Sequence, residues 1–264
     1  MKLTKATLLA LSAFLLINSP AFAGDSAYIT QAGDAGTVTI TQTENGDPNT
    51  IHVTQESGSV SEATTVTQNG SGSLNATVNQ LGNSDNATVS QYGQNDTANI
   101  DQNSSAETNS ANITQSYGSI DETAAITQDL GYGNKAHITQ TGSSDYASIS
   151  QSGDGNDSTI NQDAGSTGEY ATIQQSGSNN QATIYQQGTG DRASVNQTDG
   201  NNSAEIYQYI GDSNVATITQ SSDNSARISQ DGSSNNASID QLGSFKVATI
   251  TQPGSGNTAS LIQN

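Results

Sequence analysis

The sequence predicts an all-β protein, a two-sheet β-solenoid of about 10.5 strand-turn-strand repeats with amyloid-like cross-β stacking. Three observations carry that expectation. Glutamine recurs every 10 to 13 residues, the residues before each one alternate in character with a period of two, and Gly and Asn punctuate the gaps. Side chains alternate faces along a strand, so residues at i, i+2 and i+4 share one face, whereas a helix would scatter them.

The chain opens on a segment set apart from this pattern. Lys2 and Lys5 precede an apolar run from Ala6 to Ile17, and Ala21-Phe22-Ala23 has the small-x-small form of a cleavage site. This is a secretory signal peptide, residues 1–23, too short for a membrane span. The remaining 24–264 form the solenoid domain, with four basic against 25 acidic residues, a formal charge of −21. Such a surface repels nucleic acid and anionic membranes. Cysteine is absent, so no disulfide staples an exported chain that would permit one.

The repeat then runs to the end. Equivalent glutamines stand at 31, 42, 55, 68, 80, 91, 102, 115, 128, 140, 151, 162, 175, 186, 197, 208, 220, 230, 241, 252 and 263, giving 21 units. Two residues before each is Ile, Val or Leu in all 21 units; four before is Ala in 17; six before is usually Asn, Asp or Glu. The residues between are mostly Thr, Ser and Asn, which suit a solvated strand face. Gly follows two residues after the glutamine in 11 units, where a tight turn needs positive φ.

One unit buries a single aliphatic side chain and an alanine, too little to fold alone. Identical units stacked strand over strand, about 4.8 Å apart, satisfy their backbone groups and align Gln over Gln. An unpaired buried amide costs about 1–3 kcal/mol, so the ladder must be continuous. Its core comprises positions such as Ile149, Gln151, Ile160, Gln162, Ile173, Gln175, Ile184, Gln186, Ile239 and Gln241. The ends are then open edges available for self-assembly: Ala27, Ile29 and Gln31 at one, Ile250, Gln252, Ala259, Leu261 and Gln263 at the other. Neither end strand carries the inward charge or proline that guards most edges.

Alternate units share a sheet, which fixes neighbours. Tyr146 should stack on Tyr170 and Tyr185 on Tyr207, and Glu205 should face Arg227. Asp145, Glu169 and Asp191 fall on successive rungs of one sheet, at the position where Asn usually sits. Like charges there repel by roughly 1 kcal/mol per adjacent pair in water, and about 3.5 at a dielectric near 20. These three are candidate gatekeepers that slow assembly until acid or divalent cations relieve them.

Chemistry has little footing. His52 and His137 both face outward on opposite sheets, and no Ser/His/Asp set can converge. The calcium-binding β-roll nonapeptide is absent, with Gly153-Asp154-Gly155 isolated. Thr-x-Thr pairs of the kind used to bind ice occur at Thr39/Thr41, Thr65/Thr67, Thr217/Thr219 and Thr249/Thr251, too scattered for one face. The expectation is no enzyme, no cofactor, no metal site and no membrane insertion.

The unit Gln-x-Gly-x-x-Asn-x-Ala-x-Ile-x-Gln resembles that of the curlin family, the subunits of bacterial curli amyloid fibres. The fit is closest at Gln175-Gly177-Asn180-Ala182-Gln186, Gln230-Gly232-Asn235-Ala237-Gln241 and Gln252-Gly254-Asn257-Ala259-Gln263. The resemblance implies a secreted subunit, akin to the major one, that forms a homopolymer on the bacterial cell surface for adhesion and biofilm matrix. It also implies a nucleator and an outer-membrane secretion channel as partners. The alternative is a monomeric β-solenoid surface module that binds polysaccharide or ice. Family subunits usually carry about five strand-turn-strand repeats, and this chain has twice that number of strands.

Overall fold

A backbone that alternates one inward aliphatic or amide with one outward hydroxyl residue can bury only one face, and here it does so by coiling. The structure, a computed structural model, describes residues 24–32, 34–43, 48–56, 60–103 and 108–264, and the backbone of 12–18. Within them lie 22 strands, from β1 (Ser12–Asn18) and β2 (Ser26–Gln31) to β21 (Val247–Pro253) and β22 (Thr258–Gln263). Odd-numbered strands form one 11-stranded sheet and even-numbered strands another, each in sequential order. All pairing between neighbours is parallel and in register, so that Ala147, Ile149 and Gln151 on β12 (Tyr146–Ser152) sit over Ala171, Ile173 and Gln175 on β14 (Tyr170–Ser176). The two-sheet β-solenoid that the periodicity predicts is therefore the fold.

The strand count differs from expectation at the first rung. The 21 units place eleven strands on one sheet and ten on the other. In the structure Ser12–Asn18, inside the apolar run read as a signal peptide, pairs in parallel with β3 (Thr37–Thr43), from Ser12 opposite Thr37 to Asn18 opposite Thr43. A bare edge presents unpaired N–H and C=O groups to any available chain, and β1 occupies that edge. The basic residues Lys2 and Lys5 and the cleavage site Ala21–Ala23 lie outside the described residues.

The core is a stack of identical layers. Ile149, Ile160, Ile173, Ile184 and Ile239 are all buried, and Ala fills the space beside them wherever the sheets approach. Four units lack that Ala, and each substitution is accounted for. Val38 and Ile51 enlarge the apolar layer near the N-terminal end. Thr64 and Ser158 instead direct a hydroxyl into the glutamine ladder of the opposite sheet, Thr64 Oγ1 donating to Gln80 Oε1 at 2.5 Å and Ser158 Oγ to Gln175 Oε1 at 2.6 Å.

Turns stack as tightly as strands. Gly153 and Gly177 take φ of 101° and 97°, and a Cβ on Gly153 would collide with the Gly177 carbonyl one rung away. Both the backbone conformation and the close approach require glycine there. One irregularity interrupts the register, a shift between Gln186 and Gly188 where β15 (Gln181–Thr189) pairs with β17 (Ser203–Asp212).

Candidate functional site

The motif glutamines form two continuous columns. On the even sheet each Nε2 donates to the next Oε1 through Gln31, Gln55, Gln80, Gln102, Gln128, Gln151, Gln175, Gln197, Gln220, Gln241 and Gln263, at 2.7–3.0 Å. On the odd sheet the column runs from Gln42 through Gln68, Gln91, Gln115, Gln140, Gln162, Gln186, Gln208 and Gln230 to Gln252, at 2.9–3.1 Å. The amide also ties the sheets together, because it bonds a backbone carbonyl on the opposite strand, as Gln151 Nε2 does with Lys135 O at 2.8 Å.

These columns have a direction. Every amide donates toward the C-terminal end, so the N-terminal end is left with acceptors. Gln31 Oε1 and Gln42 Oε1 are buried and unpartnered. At the other end Gln252 and Gln263 donate only to backbone, Asn236 O at 3.0 Å and Val247 O at 3.3 Å, with one N–H each still directed along the column. The two ends are complementary. Ala27, Ile29, Ala259 and Leu261 pack against the core yet are only partly buried, as open rungs must be.

A second pair of columns occupies the position six residues before each glutamine. On the odd sheet it is an asparagine ladder from Asn109 to Asn224, each Oδ1 accepting the N–H of the next rung, with Lys246 last, its N–H bonded to Asn224 Oδ1 at 2.9 Å. On the even sheet the same position reads Asp96, Glu122, Asp145, Glu169, Asp191, five acids on consecutive rungs, all at most 1% exposed. The candidate gatekeepers Asp145, Glu169 and Asp191 thus share one sheet and are buried there, and Asp96 and Glu122 extend the run. The strength of their repulsion is set by desolvation, not by water between charges, because the column lies inside the turn. Taking every second unit of the repeat finds all five in the sequence.

Hydrogen bonds within the column alternate. Asp96 accepts Ser119 Oγ at 2.6 Å and Glu122 N at 3.1 Å, and Asp145 accepts Ser166 Oγ and, at 2.9 Å, Glu169 N. Glu122 Oε2 accepts Asp145 N at 3.1 Å, while Glu122 Oε1, Asp191 Oδ2 and both carboxyl oxygens of Glu169 are buried without a partner. Burial, then neighbouring carboxyls, push Glu122 up to about 9 and Glu169 up to about 8. Burial raises Asp96 and Asp191 to about 6 and also raises Asp145, against the hydrogen bonds they accept.

Outward neighbours fall where the register puts them. Tyr146 stacks on Tyr170 at 4.9 Å between centroids, and Arg227 Nε lies 3.7 Å from Glu205 Oε2. Tyr185 and Tyr207 adjoin but do not stack: they are tilted by 38° at 6.5 Å, and Tyr209, two residues on along the same strand face, stacks on Tyr207 at 5.8 Å. Arg227 also lies over the Tyr207 ring at 4.9 Å, a contact the residue spacing does not announce. Both charges of the ion pair are largely exposed. Arg227→Ala should therefore lower stability by no more than about 1 kcal/mol in equilibrium denaturation.

The remaining candidates stay apart. His52 is exposed and stacks on Tyr28 at 4.6 Å, while His137 on the opposite sheet contacts Thr139 Oγ1 at 2.9 Å, burial lowering its pKa. Of the Thr-x-Thr pairs, only Thr39/Thr41 and Thr65/Thr67 lie on adjacent rungs. Among the described residues no three or more His, Cys, Asp or Glu side chains are placed to hold a metal ion, and no helix is long and apolar enough to cross a membrane.

These features define a class first: a parallel two-sheet β-solenoid whose polar ladders run from end to end and stop unsatisfied at both. The curlin associated repeat model matches residues 131–163, 170–198 and 222–245, so these stretches are similar to the curlin associated repeat. The matched stretches avoid the N-terminal units, where Gly36, Val38, Ile51, Thr64 and Leu74 depart from the motif. No curated protein matches the chain.

Proposed function

We propose that this chain is a secreted structural subunit that polymerises end to end into an extracellular curli-like amyloid fibre serving adhesion and biofilm matrix. The observation that carries the reading is the polarity of the glutamine columns, with buried acceptors bare at Gln31 and Gln42 and donors available at Gln252 and Gln263. A buried unpaired amide is costly, and a second copy relieves it at both ends. Residues 1–23 act as the export signal, and the family implies a nucleator and an outer-membrane channel as partners.

The test is direct. Purified chain lacking residues 1–23, held at micromolar concentration, should form fibres that bind amyloid dyes and diffract at about 4.8 Å along the axis. Seeds of preformed fibre should abolish the lag. A chain that remains monomeric at high concentration, with or without seeds, would instead support the monomeric surface-module reading.

A further inference from the structure

We infer that successive subunits in the fibre are related by a half-turn about its axis, joined through Lys246 of one copy and Asp25 of the next. The inference rests on the fibre reading above. Without residues 1–23 the even sheet has eleven rungs, β2 to β22, and the odd sheet ten, β3 to β21. β1 touches the solenoid through β3, so every ladder from β2 onward is intact without it.

Stacking a second copy in the same orientation seats its β2 on β22. The odd sheet is then one strand short at each junction, in the place β1 fills before cleavage. Gln252 would face Gln42 of the next copy across two rungs, about 9.6 Å, beyond any hydrogen bond. The backbone of Ile250 and Gln252 would be bare in the gap, and buried backbone groups are almost never left unpaired.

Turning the incoming copy by 180° removes the gap. Its β2 then seats on β21, its β3 on β22, and the coil continues without a missing strand. Gln252 donates to Gln31 and Gln263 to Gln42, so both columns run on.

The charges agree with that seating. Lys246 ends the asparagine column, the only cation in either column at the position six before glutamine, and makes no ion pair among the described residues. Asp25 opens the acid-bearing column of the even sheet. Its Oδ1 accepts Asn49 N at 2.9 Å, and its Oδ2 is buried without a partner. The half-turn places Asp25 one rung above Lys246, whereas the unrotated copy places it above Asn257 and strands Lys246 in the gap. The fibre repeat becomes two subunits, roughly 100 Å.

Engineered cysteines distinguish the seatings, since the chain has none of its own. Thr30, Thr251 and Ile262 occupy the same exposed strand position on β2, β21 and β22. In-register neighbours one rung apart lie within disulfide reach. In fibres of the chain lacking residues 1–23, Thr30→Cys with Thr251→Cys should give intersubunit disulfides, and Thr30→Cys with Ile262→Cys should not. A chain that keeps Ser12–Asn18 has eleven strands in each sheet and should show the opposite preference. Lys246→Asp should slow elongation by about tenfold, and adding Asp25→Lys should restore it. Fibres crosslinked through 30 and 262, through both pairs, or through neither would overturn the half-turn while leaving the fibre reading intact. No fibres from the unsubstituted chain would overturn the fibre reading itself.

Discussion

Raising the pH from 5 to 8.5 should destabilise the folded solenoid and slow its growth, although the chain gains only solubilising charge. The cause is the column Asp96, Glu122, Asp145, Glu169, Asp191. No cation stands in it, and the groups that face it from the turns are further acids, Asp121 beside Asp96 and Asp212 beside Glu169 and Asp191. Each folded pKa lies above its ordinary value, so folding takes up protons. Stability is therefore full below the ordinary carboxyl values near 4 and is lost as pH rises through the folded values, from about 6 for Asp96 to about 9 for Glu122. At pH 7 the loss from Glu122 alone, moved from 4.5 to about 9, is on the order of 3 kcal/mol relative to pH 4.

Denaturation midpoints across that range measure this. Glu122→Gln with Glu169→Gln should flatten the alkaline part of the curve, and Asp96→Asn with Asp191→Asn the part near pH 6. At pH 7 the Gln pair should speed seeded growth by about tenfold or more, since a tenfold change needs only about 1.4 kcal/mol. A midpoint that rises with pH, or an unchanged slope in the variants, would remove the column from the account.

Much of this was legible in the sequence because a period-two pattern leaves few alternatives. The fixed triplet of aliphatic, Gln and Ala dictated strands, and the spacing near 11 dictated stacking. Along the described core, from Val38 to Ile250, the residues two and four before each glutamine are buried. What escaped were effects that depend on neighbours in space. Tyr209 stacks on Tyr207 and leaves the Tyr185–Tyr207 pair tilted, a choice among neighbouring rings that the spacing does not make. The depth of Glu122 and Glu169 follows from how the turn folds over them, which no repeat unit states. The pairing of Ser12–Asn18 with Thr37–Thr43 belongs to a segment without the motif, so the repeat could not anticipate it.

The same substitution made at two places in one glutamine column should separate folding from assembly. Gln151 lies mid-column. It accepts from Gln128 at 2.9 Å and donates to Lys135 O at 2.8 Å, to Ser158 Oγ at 3.2 Å and to Gln175 Oε1 at 3.0 Å. Gln151→Leu keeps the volume but leaves a Gln128 N–H buried and unpaired and removes the tie to the Lys135 carbonyl, a loss of about 1–3 kcal/mol. Gln263 is the last member, part-exposed, and accepts only from Gln241 at 2.8 Å. Gln263→Leu should cost the monomer less than about 1 kcal/mol, because water reaches the groups it abandons. Its effect should fall on growth, since the incoming copy loses the donor for a buried acceptor. Elongation from seeds should slow by about tenfold or more at unchanged monomer stability. If Gln263→Leu grew at the wild-type rate, or Gln151→Leu unfolded no more easily than it, the columns would not be what continues the solenoid from one subunit into the next.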